Sequence, residues 1–260
     1  MSPNAPPPVA GHGLLKGKTV LVTAAAGTGI GFSTAKRCAE EGARVMISDI
    51  HERRLAEAVS ALREATGQDV PSRLCNVRND QEVRDLVNGA VEELGSIDVL
   101  FNNAGLGGTT PVVEMTDDQW DSVLDITLTG TFRMTRAVLP HMIDRQAGVI
   151  VNNASVLAWR AQHGQAHYAA AKAGVMALTR CTAVEVAEHG IRINAVSPSL
   201  ATHPFLTKVM EQETLDVLTA REAFGRGAET WEVANVVVFL ASDYSSYMTG
   251  EVVSVSSQRA

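Results

Sequence analysis

TVLVTAAAGTGIG, residues 19 to 31, decides the fold. The β-branched run TVLV passes directly into a cluster of small residues and glycines, and the helical pattern IGFSTAKRCAE follows from Ile30. Strand propensity, then backbone freedom, then an amphipathic helix is how a parallel α/β unit is written. Gly27, Gly29 and Gly31 let backbone approach a pyrophosphate and leave a helix N-terminus facing its charge, with Thr28 and Ile30 between them. Asp49 closes the next β run, ARVMISD, twenty residues beyond Gly29. A carboxylate at that point accepts both ribose hydroxyls of an unphosphorylated adenosine and repels a 2′-phosphate, so NAD is expected ahead of NADP. Arg53 and Arg54 are the groups that would reach a 2′-phosphate, but in RRLAEAVSALRE they read more simply as solvated i,i+4 partners of Glu57 and its neighbours.

Outward from this unit the alternation continues. Strand patterns recur at SRLCNV, IDVLFNNA, GVIVNNAS, IRINAVS and EVVSVS, making seven with the first two. Helical patterns fall between them, at about 51–65, 81–94, 117–144, 168–188 and in WEVANVVVFLAS. Apolar strands separated by helices predict a parallel sheet covered on both faces, in one domain, with ligands bound beyond the carboxyl ends of the strands. The opening MSPNAPPPVAGHG, residues 1–13, holds four of the nine prolines and no charged side chain, so it reads as a loose tail ahead of a domain spanning 14–260.

Composition excludes several classes. The 260 residues carry 22 basic and 29 acidic side chains, a formal charge of −7, whereas a nucleic-acid binder needs a Lys/Arg surplus. Cys38, Cys75 and Cys181 show no C-x-x-C pair and no ligand-like spacing to histidine, which predicts neither disulfides nor a metal site and fits a reducing cytoplasm. No apolar run approaches the roughly 18 residues of a membrane span, and the N-terminus lacks the layout of a secretory signal.

The chemistry is written further along, in HYAAAKAG. Tyr168 and Lys172 are four apart and share a helix face, and Ser155 stands thirteen residues before the tyrosine at the end of a strand. A phenol, ordinarily near pKa 10, becomes a proton shuttle when a fixed ammonium favours its phenolate, and a serine hydroxyl can hold the same substrate oxygen.

With these residues in hand, the chain resembles the short-chain dehydrogenase/reductase family from about Leu15 to Val255. NNAG at Asn102–Gly105, INAVSP at Ile193–Pro198 and YMTGE at Tyr247–Glu251 carry the likeness beside the glycine turn and the Ser, Tyr-x-x-x-Lys set. The resemblance implies a doubly wound Rossmann-type fold and hydride transfer between a nicotinamide cofactor and a carbonyl or alcohol carbon. Tyr168 is then the acid/base, Lys172 the group that binds the nicotinamide ribose and lowers the tyrosine pKa, and Ser155 the substrate-orienting hydroxyl. It also implies cofactor contacts along Ala25, Gly27, Thr28, Gly29, Ile30, Asp49, Asn76, Val77, Asn103, Ala104, Gly105, Tyr168, Lys172, Pro198 and Ser199. Relatives pair their two long helices, here 117–144 and 168–188, which implies a homo-oligomer, dimer or tetramer.

Several positions depart from the family pattern. Ala25 stands where the family's first glycine falls, and Asn76 where an acidic residue near the adenine is frequent. Thr127 occupies the place of the tetrad asparagine that helps hold a water beside the lysine. In SPSLATHP, Ser199 replaces a glycine, and the expected threonine position is His203, with Thr202 one earlier. The end VSSQRA lacks the usual Asp-Gly-Gly.

For the substrate, Trp159 and His163 line the segment between Ser155 and Tyr168. The insert 199–226 is expected to lie over the cleft as a lid, and Phe205, Leu206, Val209, Met210 and Phe224 suggest an apolar ligand. Trp120 and Trp231 read as core packing. The chain is similar to actinobacterial members of the family through TAAAGTGIG, NNASVLAWRAQH and LASDYSSYMTGE. That likeness implies a ketone or secondary alcohol that is hydrophobic or linked to coenzyme A, derived from a steroid ring, or alternatively a linear 3-oxoacyl thioester. A reading of another class is a dinucleotide-binding sensor or assembly protein without catalysis.

Overall fold

A computed structural model describes residues 5–203, 206 and 212–257. Its sheet has seven parallel strands: β1 (Thr19–Val22), β2 (Arg44–Asp49), β3 (Ser72–Leu74), β4 (Val99–Asn102), β5 (Gly148–Asn153), β6 (Ile191–Pro198) and, after a short pair introduced below, β9 (Val252–Val255). The spatial order is β3-β2-β1-β4-β5-β6-β9. Growth is in one direction from β1 to β3 and in the other from β4 onward, so the switch point lies between β1 and β4, where such folds bind ligands. All seven expected strands form.

The helices are α1 (Ile30–Glu40), α2 (Glu52–Thr66), α3 (Asp80–Leu94), α4 (Asp117–Leu124), α5 (Gly130–Arg145) and α6 (Ala166–Val186), followed by α7 (Gln212–Ala220) and α8 (Thr230–Ala241). Why both faces are covered is visible in the strands' period of two. Val20, Val22, Val45, Ile47, Val99 and Phe101 enter one core with α1, α2 and α8. Their alternates Leu21, Met46 and Leu100 enter the other, with α3 and α5.

The stretch read as one helix over 117–144 is α4 and α5 joined by a single π-helical turn, Asp125–Thr129. Such insertions of one residue are frequent at functional sites, and this one contains Thr127. At the two edges of 199–226, β7 (Ala201–Thr202) pairs with β8 (Ala228–Glu229) just beyond it, and α7 lies between them. The described part of the proline-rich segment, residues 5–13, carries no helix or strand, yet from Val9 it is bonded to the C-terminal end of α1. Arg37 donates to the Val9 carbonyl at 2.8 Å, and the His12 and Leu14 amides donate to the Glu41 carboxylate at 2.8 and 3.0 Å. Trp120 corrects an expectation, being 38% exposed on α4 rather than packed in the core. No helix among the described residues is long and apolar enough to cross a membrane.

Candidate active site

The glycine turn leaves β1 and enters α1 over open space. Gly27 has φ +109°, a conformation L side chains avoid, and a Cβ at Gly27 or Gly29 would meet no atom within 4 Å. A Cβ at Gly31 would lie 2.6 Å from the Ala24 carbonyl oxygen and 2.5 Å from the Asn103 amide nitrogen. The first two glycines therefore border a space, while the third lets the helix pack on the turn. Ser33 is bonded back to the Gly29 carbonyl at 3.1 Å, so the N–H groups of Ile30, Gly31 and Phe32 precede the intrahelical ladder and face that space. Ala25 has its Cβ in the core and gives its N–H to the Ser48 carbonyl, so it shapes the turn through backbone.

Asp49 ends β2 beside this space. Its carboxylate accepts from the Ala26 N–H at 3.1 Å and the His51 N–H at 3.0 Å. Burial raises its pKa, opposed by the Ala26 amide and the charge of Arg54. Arg53 pairs with Glu57 at 3.3 Å, both exposed. An open turn, free helix amides and a carboxylate at the end of β2 fit a dinucleotide; Gly27–Ile30 would hold its pyrophosphate and Asp49 its adenosine ribose. Asn76 accepts the Arg78 N–H at 3.1 Å through its side-chain oxygen, which leaves the amide NH2 as the donor toward any adenine. Val77 is packed against Gly130, where a Cβ would lie 2.7 Å from its methyl.

Next to the turn lie the ends of β4 and β5, with the candidate groups that follow β5. The Thr23 hydroxyl accepts the N–H of Asn103 at 3.0 Å and of Ala104 at 3.2 Å, which seats the NNAG loop and Gly105 on the end of β1. Asn103 donates to the Ala24 carbonyl at 2.9 Å and accepts from the Asn153 amide at 3.0 Å, binding three strand ends together. Asn102, Asn152 and Thr179 continue this as a buried ladder, each step 2.9 Å. Sequence reading did not single out Thr23 or Asn153; the repeated NNA at 102–104 and 152–154 was the available signal.

Ser155 lies two residues past β5, in extended backbone, and its side chain is hydrogen-bonded with that of Tyr168. Tyr168 and Lys172 are one turn apart on α6, and the lysine Nζ sits 5.6 Å from the phenol ring centroid. That ammonium donates to the Asn153 carbonyl. Burial pushes Lys172 down to about 8. Burial also raises the Tyr168 pKa, and the Ser155 bond only partly opposes it. In this structure burial, not the neighbouring lysine, sets the direction of the phenol's pKa. At neutral pH Tyr168 is therefore a protonated acid, the form that donates to a ketone oxygen.

The Thr127 hydroxyl is fully buried and engaged twice with one residue: it accepts the Leu106 N–H at 3.0 Å and donates to the Leu106 carbonyl at 3.2 Å. These two bonds tie the Thr127 side chain to the loop after β4. Ser199, expected near the cofactor after Pro198, donates its hydroxyl to Glu222 at 3.2 Å, and Ser257 joins the same carboxylate at 2.9 Å. Trp159 is half exposed. His163 lines a cavity of about 440 Å³ with Val112, Val113, Gln162, Gln165 and Ala166, a size within the range of small-molecule sites. Phe205, Val209 and Met210 lie outside the described residues, and Phe224 is exposed. No cluster able to hold a metal occurs among the described residues.

A protonated phenol bonded to a serine, beside a place for a dinucleotide, is the equipment of a ketone–alcohol oxidoreductase, with the nicotinamide supplying or taking the hydride. Residues 24–257 match the family model described as enoyl-(acyl carrier protein) reductase, and the chain belongs to the short-chain dehydrogenase/reductase family. It is 62% identical over 255 residues to the (5R,7aS)-5-hydroxy-7a-methyl-1-oxo-2,3,5,6,7,7a-hexahydro-1H-indene-carboxyl-CoA reductase of Mycobacterium tuberculosis (strain ATCC 25618 / H37Rv), covering 98% of this chain and 97% of the relative. It is 39% identical over 241 residues, 93% of this chain and 97% of the relative, to the 3-oxoacyl-(acyl-carrier-protein) reductase FabG of Thermotoga maritima. Among solved structures, a short chain dehydrogenase from Mycobacterium smegmatis superposes with a TM-score of 0.88 at 59% identity, covering 98% of both chains. An actinorhodin polyketide ketoreductase solved with NADPH and an NAD+-bound xylitol dehydrogenase are also similar, with TM-scores of 0.87 and 0.88 at 35% and 33% identity. They cover 92% and 94% of this chain, and 96% and 99% of their own. The family's cofactor is NAD(P)H, and the chain is an oxidoreductase.

Proposed function

We propose that this protein reduces a ring ketone carried on a coenzyme A thioester with a fused five- and six-membered ring body, Tyr168 giving the proton and Ser155 holding the oxygen. The observation that carries the reaction type is the hydrogen bond between half-buried Tyr168 and buried Ser155, beside Lys172. Support for the substrate comes from the relative at 62% identity, whose name describes such a thioester. The 39% relative favours the second reading, a linear 3-oxoacyl thioester. A panel decides between them: fused-ring ketone thioesters, linear 3-oxoacyl thioesters and the same ketones without coenzyme A, each followed by nicotinamide absorbance. Selective turnover of the fused-ring thioester is the expected result. Preference for linear substrates overturns the substrate reading while leaving the reaction type in place.

NAD is the expected cofactor, carried by Asp49. Replacing it, Asp49→Ser, removes the ribose acceptor and the repulsion of a 2′-phosphate. The ratio of kcat/KM with NADH to that with NADPH is expected to fall at least about tenfold, which corresponds to about 1.4 kcal/mol. An unchanged ratio places cofactor choice elsewhere, with Arg54 the first group to test. A cytoplasmic homo-oligomer, dimer or tetramer through α5 and α6, completes the reading; sedimentation measures its size.

A further inference from the structure

Between β4 and α4 the chain crosses the site as Gly105-Leu106-Gly107-Gly108-Thr109-Thr110, and the crossing is pinned at both ends. At its start the Thr127 hydroxyl grips the N–H and carbonyl of Leu106, at 3.0 and 3.2 Å. At its end the Gln165 side-chain amide donates to the Thr109 hydroxyl at 3.0 Å, and the Thr110 N–H donates to the Gly164 carbonyl at 2.9 Å. Gly164 has φ +73°, and a Cβ there would lie 2.7 Å from the Thr109 methyl, so this approach requires glycine. Between the pins the backbone lies on the catalytic groups. A Cβ at Gly107 would be 3.8 Å from the Tyr168 ring, one at Gly108 3.3 Å from His167 Nε2, and one at Gly105 3.5 Å from Lys172 Nζ.

Both pins are buried, Thr127 fully and Gln165 at 7% exposure. Their loop partners Leu106 and Thr109 are exposed, so once a bond is lost water satisfies the partner and the loop is free to leave its place. The pins also come from different elements: Thr127 from the π-helical turn, and Gln165 from the residue immediately before α6, which carries Tyr168 and Lys172. Two adjacent glycines have no side chains with which to order themselves, so without the pins the most pliant dipeptide of the loop would lie over the phenol.

We propose that Gln165 and Thr127 are positioning residues, holding the Gly105–Thr110 crossing as a fixed roof over Tyr168 and so setting where a ketone oxygen meets the phenol. The proposal rests on Tyr168 being the acid/base. Its test uses the full chain with Gln165→Leu, Thr109→Val, their double variant, Thr127→Val and Thr127→Ser. Hydrogen exchange of the 104–110 amides is measured first, without substrate. Exchange at Leu106 in Thr127→Val, and at Thr110 in Gln165→Leu, is expected to quicken, while Thr127→Ser keeps the wild-type rate.

With the ketone thioester, each single loss is expected to lower kcat about 10- to 100-fold, the effect of a displacement near 1 Å, with dinucleotide dissociation constants unchanged. The Gln165→Leu/Thr109→Val double variant should be no worse than either single, since both break one bond. The pH midpoint of kcat is expected to stay in place in Thr127→Val and Thr127→Ser. Unchanged exchange, faster exchange with wild-type kcat, multiplying single effects or a moved midpoint each overturns the proposal, the last by placing Thr127 in a proton relay. Failure of the acid/base reading shows separately, as full turnover in Tyr168→Phe.

Discussion

Replacing Tyr168 by phenylalanine is expected to lower turnover about 10²- to 10⁴-fold while dinucleotide binding is kept, the range for loss of a positioned general acid. The aromatic ring stays against Gly107, so only the hydroxyl bonded to Ser155 is removed. Fluorescence titration with NADH and steady-state rates measure the two quantities side by side. Turnover at the wild-type level would remove Tyr168 from the mechanism and restore the sensor reading. The pH dependence has a defined sign: because burial raises the phenol's pKa, ketone reduction, which uses the protonated form, persists above neutrality and falls only in the alkaline range. Alcohol oxidation, which needs the phenolate, rises over the same range. Lys172, pushed down to about 8, loses its ammonium within that window, so Lys172→Met should flatten any step found there.

The largest effect on stability is expected from Glu41→Ala. This carboxylate is fully buried at the end of α1, where it accepts from Arg37 at 2.5 Å and from the amides of His12 and Leu14. Its removal leaves the guanidinium of Arg37, itself only 7% exposed, with Glu40 at 3.5 Å as its remaining carboxylate in place of the 2.5 Å pair. Breaking a buried pair by deleting one member costs about 3–5 kcal/mol, which for a chain of this size lowers Tm by roughly 10 °C. Thermal unfolding measures it, and a change below about 1 kcal/mol would mean that water reaches Arg37 freely. Burial raises the Glu41 carboxyl, but the Leu14 and His12 amides and the Arg37 charge outweigh it, so the folded pKa lies below its ordinary value. A lowered folded pKa contributes stability above the unfolded value and loses it as pH falls through the folded one. The acid limb of the stability curve should therefore be shallower in Glu41→Ala.

The seven strands, the glycine turn and the Ser155, Tyr168 and Lys172 set were legible because each is a local signal. A period of two, a period of 3.6 and a helical spacing of four are written in consecutive residues, and the αβ alternation then leaves one layered arrangement that buries both sheet faces. Asp49 was legible for the same reason, as the last residue of a strand. What hydroxyls and amides do is not local. That the Thr127 hydroxyl is bonded twice to Leu106, 21 residues away, is not written in the residues around it. The bond of Ser199 to Glu222 is equally unwritten, and Gln165 reads as nothing until Thr109 is found beside it.

Charge followed the same division. Counting predicted that lysine lowers the phenol's pKa, whereas burial, a property of everything packed around Tyr168, decided the sign. The number of strands, their parallel run, the glycine turn before α1 and the groups that could stand at the site were settled by the sequence alone. Which of those groups are free to meet a ligand and which are spent on the backbone was decided by the tertiary structure. Hydrogen-bond partners 20 or more residues apart are chosen by how strands and loops stack, not by neighbours in the chain.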